Sequence, residues 1–267
     1  MNIARPSISL LAAATLVGMA ASITSARQDT KPVPQPLPTA PGPAAELPSG
    51  EELFKRHVAA LGGEEALRAE KNRVTKGRIQ LKGQPNSGQV TILRVAPNRM
   101  YSMLDLPGTV TVETWFDGER GWVRDSNSGV RALSGDSLAD TKRSADILGE
   151  ANYKERYTDI RTTGREKFEG KDVYAVEAMI PGGGKRVIYF DGDTGLLAGM
   201  RVPSPKGPEQ DVVIAMYDYK VFGAVKQPTR IVQRAGTSET VTTFSSIDAN
   251  VSPMKSVDPP DEIRAVK

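Results

Sequence analysis

The chain of 267 residues contains no cysteine, one histidine and two tryptophans. Without cysteine, it has no disulfide, no thiolate metal site and no lipid-modified cysteine of the kind that anchors bacterial lipoproteins. The histidine, His57, offers one ligand where a zinc site needs three or four, and no G-x-S-x-G element accompanies it as a triad base. We therefore expect a structural or surface histidine, no metal, no cofactor and no enzyme activity. The alternative is an enzyme that uses carboxylates alone, as glycoside hydrolases do.

The sequence also lacks a run of five or more like charges. The formal net charge is only +3, with Lys and Arg spread among Asp and Glu. This pattern gives little support to nucleic-acid binding. No apolar stretch after the first 26 residues is long enough to span a membrane.

The N-terminal residues have the three parts of a secretory signal. Arg5 supplies a positive start, residues 8–21 are apolar and uncharged, and Thr24-Ser25-Ala26 supplies small residues. This predicts a signal peptide, 1–26, cleaved after Ala26, and a protein that is periplasmic or secreted and does not span the membrane after cleavage. A retained anchor is the alternative.

The composition divides the remaining chain into three parts. Residues 27–48 are rich in proline and have no apolar periodicity, which predicts an extended linker, either a plain spacer or a tether to the envelope. We expect a single folded domain, 49–250. A C-terminal tail, 251–267, contains three prolines and either straps the surface or is loose.

Two helices are predicted, and residues 64–69 can add another helical turn or two after the first. Ser49 with Glu52 three residues later forms a capping box, and apolar residues at helical spacing predict a helix over 50–61 that ends at Gly62-Gly63. A second helix is predicted over about 136–148, with Leu138, Ala145 and Leu148 as its apolar stripe and Gly149 at its end.

Alternating apolar and polar residues predict strands on either side of the second helix. Their connections are short and rich in glycine, proline and aspartate, which indicates sequential antiparallel neighbours. The fold class is therefore mainly β with two or three helices, built on an antiparallel curved sheet. The predicted strands are 73–82, 88–96, 99–105, 109–116, 121–125 and 130–133 before the helix, and 159–168, 172–180, 185–190, 196–202, 210–219, 225–235 and 238–247 after it.

The two tryptophans, Trp115 and Trp122, flank a tight turn. A two-residue hairpin loop would place both indoles on one face of the sheet, whereas a three-residue bulged loop would place them on opposite faces. The other face is apolar and is marked by Val110, Val112, Phe116 and Val123. Two interpretations stay open: the indoles are exposed at a rim where a partner protein binds, or they pack against each other across the strands.

Several sequence segments occur in a recognisable order: 52–63 (ELFKRHVAALGG), 115–118 (WFDG), 189–191 (YFD) with 194–197 (TGLL), and 217–219 (YDY) before 227–229 (QPT). Together they resemble the LolA-like superfamily of periplasmic outer-membrane lipoprotein carriers, over residues 50–250. The resemblance implies an unclosed antiparallel half-barrel whose helices cover a concave apolar cavity that holds acyl chains. Related members instead sense envelope stress by binding a regulator.

The resemblance implies a monomeric carrier or binding protein for a lipid, a lipoprotein acyl chain or another hydrophobic ligand. The alternative is an envelope interaction or sensor module without a small ligand. We also predict that helix 50–61 docks across the concave face. For each apolar residue that could line the cavity, plain core packing is the alternative. These residues are Leu53, Phe54, Val58, Leu61, Ile79, Leu81, Val110, Val112 and Leu138.

Overall fold

The computed structural model describes residues 46–84, 86–182, 184–252 and 255–266. The expected signal peptide, 1–26, and most of the expected linker, 27–48, lie outside the described residues, so both stay predictions. The described residues form thirteen strands in one sheet and five short helices.

The strands fall into two halves of the chain. The first half contains β1 (Asn72–Leu81), β2 (Ser87–Val95), β3 (Arg99–Leu106), β4 (Val110–Phe116), β5 (Gly121–Asp125) and β6 (Gly129–Ala132). The second half contains β7 (Thr158–Phe168), β8 (Lys171–Ile180), β9 (Gly184–Asp191), β10 (Leu197–Val202), β11 (Val212–Phe222), β12 (Val225–Ala235) and β13 (Ser238–Ala249).

The helices are short, and most lie outside the sheet's hairpins. They are α1 (Gly50–Leu61), α2 (Glu64–Arg68), α3 (Gly135–Ala145), α4 (Tyr153–Arg156) and α5 (Asp261–Arg264). A 3₁₀ turn, Pro208–Gln210, precedes β11.

The sheet is a pair of meanders joined by the first and last strands. Its order is β6-β5-β4-β3-β2-β1-β13-β12-β11-β10-β9-β8-β7. β1 pairs antiparallel with β13, for example Thr75 with Ile247 and Ile79 with Thr242. β6 and β7 are the two edges and do not pair with each other, so the sheet is not closed into a barrel. The predicted mainly β, antiparallel, unclosed sheet is confirmed.

The connection from β6 to β7 must cross from one edge of the sheet to the other. It contains α3 and α4 and packs on the concave face: Ala145 lies in a buried cluster with Ile92 and Phe116, and Tyr153 lies in another with Phe190. The connection therefore supplies part of the helical cover of the concave face.

The first helix begins and ends as its sequence predicts. The Ser49 side chain accepts a hydrogen bond from the Glu52 amide at 3.2 Å. The helix stops at Gly62, whose φ of 128° favours glycine. A Cβ there would lie 2.2 Å from the Ala224 carbonyl oxygen, so the close approach of the end of α1 to the turn between β11 and β12 also requires glycine.

The first helix docks on the concave face, as predicted. Phe54 is 3% exposed; its ring stacks on Tyr153 at a centroid distance of 4.7 Å and meets the edge of Phe190 at 5.0 Å. Leu53 lies in the same buried cluster. A twelve-residue helix is marginal alone in water, so this packing is what orders it.

The apolar stripe predicted for the second helix is partly wrong. α3 ends at Ala145, and its buried residues are Thr141 and Ala145. Leu148 lies beyond the helix and is half-buried, because Asp146 turns into extended backbone and its carboxylate accepts a hydrogen bond from the Leu148 amide at 3.0 Å.

The C-terminal tail is a strap on the convex face. Val257 and Ile263 are 3% and 1% exposed and pack in one cluster with Trp115 and Trp122. The Trp122 indole nitrogen donates a hydrogen bond to the Val266 carbonyl at 3.0 Å. The strapping alternative for the tail is therefore confirmed for its described part.

Candidate ligand cavity

A cavity of about 430 Å³ lies between the concave face of the sheet and the helical cover. Its volume falls in the range of about 300–1,000 Å³ that is typical of small-molecule sites. Strands from both meanders and the α3–α4 connection contribute side chains to its lining. It is therefore a product of the whole domain and not of one local segment.

One wall of the cavity is apolar and comes from the second meander together with α1. Phe54 projects from α1 into this wall, where its ring packs against Phe190. The side chains that form the wall are Phe54, Leu61, Ile180, Ile188, Phe190, Leu197, Met200, Ile214, Met216 and Ile231. Burying an alkyl chain here would remove apolar surface from water at about 0.8 kcal/mol per CH₂.

Small hydroxyl side chains form the floor of the cavity around the seam between β1 and β13. The floor includes Thr75, Thr240 and Thr242, with Ser102 and Thr114 from neighbouring strands. A bulge opposite Lys76 and Gly77 changes the alternation along β13, so that Phe244 and Ile247 both line the cavity although they are three residues apart.

Arginines and carboxylates gather at the other end, where the α3–α4 connection meets the first meander. Arg73 donates to Glu70 with its Nε at 3.0 Å, and both residues are buried. Arg143 pairs with Asp140, and Arg156 lies 3.7 Å from the Asp146 carboxylate. We call this cluster the polar pole: Glu70, Arg73, Arg94, Asp140, Arg143, Asp146, Glu150, Arg156 and Arg186.

Gly149 makes room for one of these guanidinium groups. A Cβ at this position would lie 1.9 Å from Nη2 of Arg156. The same Nη2 donates to the Arg143 carbonyl at 3.0 Å, so the absence of a side chain at Gly149 allows Arg156 to join the end of α3 to the start of α4. Burial raises the pKa of Asp146, although Arg156 opposes the rise.

The single histidine lies in the cavity wall. His57 is 2% exposed, and its Nε2 lies 3.4 Å from the Glu150 carboxylate. Burial alone would raise the pKa of Glu150, but the hydrogen bond to His57 and the charges of His57, Arg156 and Arg73 together lower that pKa to about 2. Nδ1 of His57 is buried without a hydrogen-bond partner among the described residues. Of the two roles predicted for His57, structural or surface, the structure supports the structural one, because the side chain is buried.

The predicted lining residues divide into two groups. Phe54, Leu61, Ile79 and Val112 line the cavity. The other five pack in the clusters around it without lining it: Leu53, Val58, Leu81, Val110 and Leu138. Whether any of them contacts a ligand stays a prediction.

The expectation of exposed indoles is wrong. Trp115 and Trp122 pair directly across β4 and β5 and share one face, as the two-residue loop predicts, but they are only 3% and 1% exposed. The C-terminal strap covers them, and an apolar face that lies under such a strap is removed from solvent. Ordinary packing is the interpretation that holds.

Solved structures with a similar fold support the resemblance. A LolA superfamily protein from Nitrosomonas europaea is 14% identical, with a TM-score of 0.53 over 81% of this chain and 97% of that chain. A putative outer membrane lipoprotein-sorting protein domain from Vibrio parahaemolyticus is 13% identical, with a TM-score of 0.53 over 76% and 93%. This chain has the fold of LolA superfamily proteins. At such identities the likeness concerns the fold alone.

A third structure with this LolA-like fold is a DUF1329 family protein from Desulfovibrio piger, 16% identical, with a TM-score of 0.53 over 76% of this chain and 94% of that chain. No protein-family model and no curated protein matches the sequence. Within the described residues, no helix has the length and apolar character needed to cross a membrane, and no three His, Asp or Glu side chains are grouped to hold a metal ion.

Sequence reasoning missed the polar pole of this LolA-like fold. One signal was available in β2, where Val90, Ile92 and Arg94 alternate in phase and all line the cavity. An arginine in phase with two apolar residues of a strand indicates a charge that faces the interior. The partners of Arg94 come from distant segments, so the cluster itself required the tertiary structure.

Proposed function

We propose that this chain is an exported, non-enzymatic, monomeric carrier or binding protein for a lipid, a lipoprotein acyl chain or another hydrophobic ligand. The observation that carries the proposal is the cavity of about 430 Å³ with one apolar wall under a helical cover. A chain of about fourteen carbons needs roughly 11 kcal/mol of shelter from water, and an apolar cavity supplies this without covalent chemistry.

The alternative, an interaction or sensor module without a small ligand, has two motivations, the proline-rich linker as a tether and indoles exposed at a rim. Both indoles are buried, so that observation no longer supports it. A filled interior would have favoured this alternative, whereas an open apolar cavity favours a carrier.

Two neighbouring threonines of β13 allow a matched test. Thr242 lines the cavity, whereas Thr243, the next residue, is exposed on the opposite face. We expect Thr242→Trp to fill part of the cavity and weaken the binding of a fluorescent fatty acid at least about tenfold, or ~1.4 kcal/mol. Thr243→Trp should bind like the wild type.

The binding assay needs a direct measurement of endogenous ligand beside it. Native mass spectrometry of the purified protein should show adducts in the mass range of lipids, and these should be depleted in Thr242→Trp. Adducts absent from every preparation, together with no uptake of the fluorescent fatty acid by the wild type, would refute the proposal.

The export part of the proposal has its own test. Intact mass and N-terminal sequencing of protein from the periplasmic or culture fraction should give a chain that begins at Arg27, after removal of residues 1–26. Full-length protein retained in the membrane fraction would favour the anchor alternative.

A further inference from the structure

We propose that the polar pole is a binding subsite for an anionic group, a phosphate or a carboxylate, which Arg94 contacts directly. The inference rests on the proposed function where the anion is the headgroup of an amphiphile whose tail occupies the apolar wall. The same chemistry also fits a free anion, and the experiment below separates these two sources.

The backbone register places two like charges side by side in the cavity. Arg73 of β1 and Arg94 of β2 are direct partners in the antiparallel ladder, and both line the cavity. Cβ atoms of such partners lie about 4.5–5.5 Å apart, and like charges directly opposite each other are destabilising. A sheet therefore keeps this pair only where something else compensates for the repulsion.

Only one member of this pair has a carboxylate partner. Arg73 is held by Glu70, and the carboxylates of Asp140 and Asp146 lie beside Arg143 and Arg156. Within the described residues, Arg94 takes part in no ion pair, and its one hydrogen bond runs from Nε to the Ser144 carbonyl at 2.6 Å. Because Arg94 lines the cavity, its two Nη groups are available to donate hydrogen bonds to a ligand there.

Burial and neighbouring positive charges make the charge on Arg94 costly. Burial, together with the charges of Arg73 and Arg156, lowers the pKa of Arg94 to about 10, because Asp146 and Glu70 oppose this shift more weakly. Arginine remains protonated at neutral pH even so. A bound anion would offset both the burial and the repulsion, and the planar fork of an arginine matches the oxygens of a phosphate or carboxylate.

A second observation in the same cavity concerns His57. Its Nδ1 is buried and has no hydrogen-bond partner in the part of the chain that the structure describes, while its other nitrogen faces Glu150. A buried polar atom without a partner costs free energy, and a ligand with a polar end would satisfy it. The two observations are independent, since His57 comes from α1 and Arg94 comes from β2.

The test compares two ligands with the same tail, decyl phosphate and decan-1-ol, with inorganic phosphate as the third probe. Calorimetry on the purified full-domain protein measures each affinity below the micelle concentration. We expect the wild type to bind decyl phosphate at least about tenfold more tightly than decan-1-ol, in line with the strength of charge-assisted hydrogen bonds.

The variants are Arg94→Gln and Arg78→Gln, which change the net charge equally. Arg78 lies on β1 but is exposed on the other face, so it serves as the control. Arg94→Gln should remove the advantage of decyl phosphate and leave the affinity for decan-1-ol unchanged; Arg78→Gln should keep both. If Arg94→Gln does not fold, Arg94→Lys keeps the charge without the fork and should keep part of the advantage.

Each result has one meaning. Equal wild-type affinities for the phosphate and the alcohol, or an advantage that survives Arg94→Gln, would overturn the anion subsite while the carrier proposal stands. If decyl phosphate binds far more tightly than inorganic phosphate, the anion that the subsite binds is the headgroup of an amphiphile. If inorganic phosphate binds as tightly as decyl phosphate, depends on Arg94, and decan-1-ol does not bind, the anion subsite is supported and the carrier proposal is refuted.

Discussion

Segments outside the strands cover both faces of the same sheet, but they do so differently. On the convex face, the strap lays Val257 and Ile263 directly on the two indoles, and all four side chains are nearly inaccessible. On the concave face, α1 and the α3–α4 connection touch the sheet at Phe54 and Ala145 but enclose a cavity of about 430 Å³ between these contacts.

The comparison shows how one sheet can be packed on one side and hollow on the other. Curvature brings a strap close to the convex face, where aromatic side chains fill the gap. The concave face is spanned by a chain that has to run from β6 to β7, and it carries long arginine side chains where apolar ones would fill the space. The hollow face is therefore the one suited to a ligand, and the filled face contributes stability.

The largest loss of stability is expected from a substitution in α1, which covers the concave face. Phe54→Asp should lower the free energy of unfolding by about 4 kcal/mol or more, because it deletes a buried aromatic contact and places a charge inside. Denaturant unfolding measures this. Ala59→Asp, on the exposed side of α1, is the matched control and should cost about 1 kcal/mol or less. A Phe54→Asp melt that matches the wild type would refute the docked helix.

A substitution in the C-terminal strap, which covers the convex face, should lower the free energy of unfolding somewhat less. Ile263→Ala removes a side chain that is 1% exposed and should cost about 2–4 kcal/mol, depending on how far the strap relaxes. Glu262→Ala, exposed beside it, should be neutral within about 0.5 kcal/mol. Near-ultraviolet circular dichroism should report a changed indole environment for Ile263→Ala. Equal stability of the two variants would mean that the strap is not part of the folded unit.

Loss of the N-cap of α1 should lower the free energy of unfolding by about 1 kcal/mol. Ser49→Ala removes the side-chain acceptor of the Glu52 amide, and a lost N-cap costs about that much. Ser49→Asp, which keeps an acceptor, should restore most of the stability in the same unfolding assay. If both variants unfold like the wild type, the cap does not limit the docking of α1.

The smallest expected effect is the pH dependence that Glu150 adds inside the cavity. Because its pKa is lowered in the folded state from 4.5 to about 2, its stabilising contribution is present above the unfolded value and is lost as the pH falls towards 2. The Glu150 side chain is 41% accessible, so screening limits the contribution to about 1 kcal/mol at most.

Glu150→Gln should therefore flatten the fall in urea midpoint between pH 5 and pH 2.5. The exposed Glu65→Gln serves as the control and should follow the wild type. An unchanged pH profile in Glu150→Gln would show that the pairing with His57 and Arg156 contributes nothing to folding.

The cavity could be predicted only in part. The resemblance implies a cavity, and four of the apolar positions that the local pattern offers line it: Phe54, Leu61, Ile79 and Val112. Leu53 and Leu138 were expected to line the cavity as well and instead pack beside it, since a pattern tells which face is apolar but not which residues meet a gap. Arg94 and its partners were missed because they come from segments far apart in the sequence.

The sequence by itself determined the strands, the cap and stop of α1 and the antiparallel hairpins, because these depend on alternation and turn residues within a few positions. The tertiary structure alone decided the pairing of β1 with β13, the burial of Trp115 and Trp122 under the strap, and the meeting of Arg73, Arg94 and Arg156 at one end of the cavity. The physical reason is separation: each of these contacts joins residues from different elements, and no local preference encodes which distant partner a strand, an indole or a guanidinium will meet.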